Sequence, residues 1–235
     1  QLARARGQPA RALSELEKIR EMPGFATPYI NYQLGMAYLE NTNVTEAVRR
    51  LSQVLGQYKD RVDSVYYDAA FLLSEVHARY GDVPRAIALL SDLSKRPDTT
   101  NQPLVLKQTA FRLDRLYRAR NDTNALEPLY LNLVSALPSD PDGWFRLGEI
   151  RQMLGRLAQA RQAYEKVREL TTNDLPAVRR LVQVDLIQRD TNAALRLAQG
   201  QVTQHPDSVG PRFLLADLQL YTGQTNLAVA TIEQA

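Results

Sequence analysis

Apolar residues along this chain recur at helical spacing and are interrupted at short intervals by polar, turn-forming clusters. Ala12, Leu16 and Ile19 in the opening segment, which also holds Gly7, follow the i, i+4, i+7 spacing of one helix face. The same reading predicts helices near 28–40, 64–80, 104–120, 141–154, 175–188 and 209–222. A second set falls near 8–21, 44–57, 83–95, 124–136, 157–170, 191–204 and 225–235. The two sets alternate, so the chain is expected to be all-α and built of helical hairpins.

The hairpins share a period. From Leu147, steps of 34 residues lead forward to Leu181 and Leu215 and back to Leu113; Leu73 and Leu34 take the same slot once two short insertions are allowed. Thirteen positions further on stand Ala47, Ala86, Ala160, Ala194 and Ala228, with Leu126 the one departure. The leucine is expected on the inner face of each first helix. The alanine is expected where the second helix crosses it closely, because a larger side chain would push the backbones apart. Gly81, Gly155 and Gly223 mark the turn inside three hairpins, and Pro138 and Pro206 close two units, since proline cannot continue a helix. Asn41-Thr42-Asn43, Asp122-Thr123-Asn124 and Asp190-Thr191-Asn192 precede second helices, where their side chains can accept from free N–H groups; Pro84 suits the opening turn of another.

Within 141–174, Trp144, Leu147, Gly148, Gly155, Ala160 and Tyr164 reproduce a W-x-x-L-G, G, A-x-x-x-aromatic spacing. The chain thereby resembles the tetratricopeptide-repeat family over nearly its whole length. That resemblance implies an α-solenoid, a right-handed superhelix of antiparallel helix pairs, forming a single domain over 1–235. Repeats are expected near 28–61, 67–100, 107–140, 141–174, 175–208 and 209–235, after a partial repeat over 1–27. Val62 to Tyr66 and Asn101 to Leu106 are extra residues at two joints, and Arg96 to Pro103 is rich in turn formers and expected to be a loop. The chain opens at Gln1 without a leader-like pattern and stops at Ala235 within an expected helix, so it reads as a fragment of a longer array.

Composition narrows the function classes. A hydrophobic share of 44% with 23% charged residues is that of a folded chain rather than a disordered one. The net charge of +3 is too weak and too dispersed for a nucleic-acid footprint. The lack of cysteine excludes disulfides and thiolate zinc sites, and suits either side of a membrane. Arginine greatly outnumbers lysine, which is compatible with a bacterial source.

Catalytic constellations are lacking. His77 and His205 stand far apart without carboxylates at metal-ligand spacing, and neither a phosphate loop nor a nucleophile elbow is present. Glu15 and Glu17 fit a solvated helix face, and Asn43-Val44-Thr45, a formal glycosylation acceptor, reads as a helix cap. No enzyme activity, cofactor, metal or small-molecule substrate is expected.

The family resemblance implies that the first helices line a concave groove that takes a protein or peptide. The repeat's fifth position then points into it: Tyr32, Phe71, Phe111, Phe145, Arg179 and Phe213. Glu75, Arg79, Arg115, Arg118, Glu149 and Asp217 are expected on the same wall. Because the adjoining position holds Asn31, Ala70 or Ala110 in three units, the aromatic residues could instead fill the core between repeats. The carboxylate clamp of co-chaperone members has no counterpart, since its first two slots hold Phe71 and Glu75, Phe111 and Arg115, or Phe145 and Glu149. A scaffold binding a peptide or a partner helix is the expectation. Two alternatives are an RNA-binding helical repeat, disfavoured by Glu75, Glu149 and Asp217, and the substrate-selecting arm of a larger enzyme such as a glycosyltransferase.

Overall fold

The computed structural model describes residues 8–58, 63–171 and 174–234. Gln1, Gly7, Val62 and Ala235, named above, lie outside them. Among the described residues the secondary structure is helical, and no helix is long and apolar enough to cross a membrane. The chain divides into two compact units, Gln1–Asp122 and Thr123–Ala235.

The first unit holds α1 (Pro9–Glu21), α2 (Pro28–Glu40), α3 (Val44–Gln57), α4 (Ser64–Arg79), α5 (Val83–Lys95), a single helical turn α6 (Pro97–Thr100) and α7 (Pro103–Ala119). Consecutive long helices pack together, and the first helices also touch across repeats, α2 on α4 and α4 on α7. The second unit opens with a 3₁₀ turn (Thr123–Ala125) and continues through α8 (Leu126–Ala136), α9 (Pro141–Met153), α10 (Leu157–Leu170), α11 (Leu175–Ile187), α12 (Thr191–Gln204), α13 (Val209–Tyr221) and α14 (Thr225–Glu233). Here too each helix packs on the next, and α11 meets α13.

The repeat register is the core. All six leucines, Leu34, Leu73, Leu113, Leu147, Leu181 and Leu215, are buried, as are Ala47, Ala86, Ala160, Ala194, Ala228 and the departing Leu126. In the first unit Leu34, Tyr38 and Ala47 form one cluster, and Leu51, Val54, Ala69 and Leu73 the next. In the second unit Ala160, Tyr164, Leu181 and Val184 share a cluster, and Ala194, Ala198, Leu214 and Leu215 belong to the one beyond it. The helices of a pair come close enough that a β-carbon on Gly35 would stand 2.8 Å from the Leu51 side chain.

The turns inside the six hairpins are built alike. Gly81, Gly155 and Gly223 have φ of 91, 72 and 79°, and the matching positions of the other three hairpins, Thr42, Asn121 and Arg189, also take positive φ, at 59, 55 and 61°. In each hairpin the next N–H donates to a carbonyl five residues back: Asn43 to Tyr38, Asp82 to His77, Asp122 to Tyr117, Arg156 to Arg151, Asp190 to Asp185 and Gln224 to Gln219. This is the left-handed C-terminal cap that ends a helix by satisfying its last carbonyls. The side chains of Asn43, Asp82 and Asp190 then accept from Glu46, Arg85 and Ala193 and start the second helix. At Asp122 a 3₁₀ turn replaces that cap.

One expected loop is partly helical. Pro97 occupies the first position of α6, where its fixed φ suits a helix start, and Thr99 is buried. Arg96 donates twice to Asp98 at 3.1 Å, holding that carboxyl below its usual range, and its guanidinium lies 4.8 Å from the Tyr66 ring centre. Gln102 completes the joint by donating to the Tyr67 hydroxyl at 3.0 Å.

Candidate functional site

The fifth-position residues do not share one environment. Tyr32 is half-buried against the cluster of Leu51, Val54, Ala69 and Leu73. Phe71 is buried, 8% exposed, with the Arg112 guanidinium stacked over its ring at 4.1 Å. Phe145 is half-buried, edge-on to Tyr164 at 5.7 Å, with Arg180 at 5.8 Å from its centre. Phe111 and Phe213 are 38% and 47% exposed, and Arg179 is exposed. The Lys107 ammonium lies 5.8 Å from the Phe111 ring centre.

Phe71 and Phe145 each lie beneath an arginine of the following repeat. Arg112 and Arg180 occupy the same place in the repeats that follow Phe71 and Phe145, one residue after the fifth position. A guanidinium is planar and weakly hydrated, so it can lie on an aromatic face and cover it. Arg112 is itself half-buried, and burial together with the nearby charge of Arg115 pushes its pKa down, against the opposing pull of Glu75. With Arg146 they recur at steps of 34 residues, so the register carried their signal.

The charged residues expected on this wall also divide. Glu75, Arg79, Arg115, Arg118 and Asp217 are exposed. Arg118 is paired with Asp114 at 2.9 Å. Glu149 is held between Arg146, at 2.8 Å, and Arg180, so it is committed within the wall.

The first helices of the second unit carry a further series that sequence reasoning missed. Met153, Ile187 and Tyr221 recur at steps of 34 residues, six after the register leucines, and are 54%, 54% and 69% exposed. The signal was present in the register, as three large apolar residues in one slot. In the first unit that slot holds Glu40, Arg79 and Ala119.

Other ionic contacts join repeats rather than offer a surface. Buried Glu127 on α8 accepts from Arg151 and Arg156, and buried Asp185 on α11 accepts from Arg161 on α10. These pairs link the same two repeat positions with the charges exchanged. His77 is partly buried, which lowers its pKa, and the His205 Nε2 lies 3.9 Å from Asp174. Among the described residues no group of three His, Cys, Asp or Glu side chains is placed to hold a metal ion. Asn43 is the cap of α3.

Comparison with known proteins agrees with this construction. Residues 32–98 match one tetratricopeptide-repeat family model and residues 141–174 match another. A solved C-terminal part of a tetratricopeptide-repeat protein from Cytophaga hutchinsonii superposes with a TM-score of 0.67 at 13% identity, covering 98% of this chain and 92% of that one. A tetratricopeptide-repeat protein from Parabacteroides merdae gives 0.55 at 15% identity, covering 88% and 78%. MamA from Desulfovibrio magneticus gives 0.52 at 17% identity, covering 77% and 97%. At these identities the likeness is one of fold. No curated protein matches the chain. The two matched stretches, the six-fold register and the hairpin geometry together make the chain a member of the tetratricopeptide-repeat family.

Proposed function

We propose that this chain is a non-catalytic scaffold whose first helices hold a protein partner, as an extended peptide or as a helix laid across them. The coarser half of this rests on the family, whose repeats serve generally as interaction scaffolds. The finer half is carried by one observation. Large apolar residues stand exposed at matching positions of the first helices: Met153, Ile187 and Tyr221 in one slot of three successive first helices, and Phe111 and Phe213, three repeats apart, in another. Aromatic and methionine side chains supply much of the binding energy at protein interfaces. Keeping them out of water's reach in the free chain would stabilise it, so their repeated exposure favours a covering partner.

Arg79, Arg115, Arg179 and Asp217, exposed on first helices, would set the partner's charge pattern. Phe71, Phe145 and Tyr32 support the wall from beneath. Glu149 orients Arg180 and is not offered as a free contact.

The test is retention of a partner from native extract by the full chain and by the Phe111→Ser, Phe213→Ser double variant. Circular dichroism first establishes that the variant is folded, as two exposed positions predict. Loss of a retained protein by the folded variant supports the proposal. Equal retention by both chains contradicts it.

A further inference from the structure

The wall of the first unit is unlike that of the second in its charge. α7 carries Lys107, Arg112, Arg115 and Arg118 against Asp114 alone, and Asp114 is engaged by Arg118. α4 adds Arg79 at one end of the shared face, with Glu75 one turn before it and Asp68 two turns further back. Stacking of Arg112 on Phe71 brings α7 and α4 together at this place.

Arg79, Arg112 and Arg115 have no carboxylate of a described residue within 4.0 Å. Arg112 has only the Gln108 carbonyl, at 3.4 Å, and the Phe71 ring. Its depressed pKa records a guanidinium that is partly desolvated and pressed by Arg115. In the second unit the comparable arginines, Arg146 and Arg180, are both paired with Glu149. The first unit therefore holds two exposed cations and one half-buried cation uncompensated, beside the exposed ring of Phe111.

We propose that the α4–α7 face of the first unit recognises an acidic protein segment, with Arg79, Arg112 and Arg115 taking its carboxylates and Phe111 an adjoining apolar side chain. This rests on the first helices being the binding surface. Carboxylates suit the site because guanidinium forks hold them in two parallel hydrogen bonds. An incoming carboxylate would also relieve the repulsion between Arg112 and Arg115. Glu75 and Asp68 on the same wall argue against a continuous polyanion and for separate acidic side chains.

Fluorescence anisotropy with the full chain and a labelled octapeptide of alternating Asp and Glu tests this, beside the same peptide with Asn and Gln. The acidic peptide is expected to bind, the neutral one to bind far more weakly, and added salt to weaken the former. Arg79→Gln with Arg115→Gln, both exposed positions, should weaken acidic-peptide binding about fivefold or more. Arg196→Gln, at an exposed position on the second helix α12, should leave it unchanged. Equal binding of both peptides, or an unaffected Arg79→Gln, Arg115→Gln chain, overturns the inference. Tighter binding of a single-stranded oligouridylate of equal charge overturns it in favour of nucleic acid. If these arms fail while the Phe111→Ser, Phe213→Ser chain still loses its extract partner, the acidic preference is wrong and the binding surface stands. Retention by that variant removes the surface itself.

Discussion

The ring of Tyr164 fills the space that a β-carbon on Gly148 would take, with a ring carbon 2.5 Å from where that atom would stand. The two residues belong to α9 and α10, the two helices of one repeat, and Tyr164 is fully buried. Its hydroxyl donates to Gln152 at 2.9 Å, and burial raises its pKa. The ring can neither retreat nor turn without breaking that arrangement. Gly148→Ala is therefore expected to cost about 1–3 kcal/mol, the range for overpacking a core. Gly200→Ala in α12, where nothing lies within 4 Å, should stabilise by about 0.5–1 kcal/mol through helix propensity. Urea unfolding of both variants checks the pair. A neutral Gly148→Ala would mean that α9 and α10 lie further apart.

Arg189 ends α11 with a φ of 61°, in the place that Gly155 and Gly223 hold in the flanking hairpins. A side chain in this left-handed conformation costs roughly 1–2 kcal/mol relative to glycine's freedom, offset in part by the greater entropy of glycine in the unfolded chain. Arg189→Gly should raise stability by about 1 kcal/mol, and Gly155→Ala should lower it by a similar amount. Thermal melts of the two variants should move in opposite directions. A fall in both would show that the turn at Arg189 does not need the left-handed backbone.

Arg161 and Asp185 link two repeats at positions where Arg151 and Glu127 link the preceding two with the signs exchanged. Asp185 is buried and Arg161 partly exposed, so Asp185→Ala leaves a cation half in water rather than sealed inside. The expected loss is about 1–3 kcal/mol, below that for a fully buried pair. Because the fold already tolerates the opposite sense at the neighbouring junction, Arg161→Glu combined with Asp185→Arg should recover part of it. A double-mutant cycle measures this. A double variant as unstable as the sum of its single changes would contradict the exchange.

Much of the fold was legible because its determinants repeat. Leu147 and Ala160 each state a local rule, and their counterparts at 34-residue steps state it again, so helix faces and helix order follow from chain position. Helix ends were legible where side-chain chemistry marks them, as at Asn43, Asp82 and Asp190. The positive φ of Thr42, Asn121 and Arg189 was not, because residue type conceals what the period implies. Nor was the short helix at Pro97, which a list of turn formers hides.

The candidate site was less legible for a different reason. Phe71 and Phe111 hold the same repeat position, yet one is buried and the other exposed. What separates them includes Arg112, a residue 41 positions beyond Phe71 that reaches back over its ring. A register assigns one environment to each slot, whereas burial depends on where the neighbouring side chains are drawn: Arg112 lies over Phe71, while Arg146, its counterpart one repeat on, pairs with Glu149. Met153, Ile187 and Tyr221 show the converse, apolar residues at core-like spacing that no neighbour covers.

The most direct test of the central claim is site-specific photo-crosslinking in native extract. A photoreactive phenylalanine analogue at Phe111, Tyr221 or Phe213 on first helices is compared with one at Arg49, Asp92 or Glu165, exposed on second helices. Capture of one shared protein from the first-helix positions and none from the second-helix positions is the predicted result. Capture from the second helices alone would contradict it and move the binding surface to the opposite side of the hairpins.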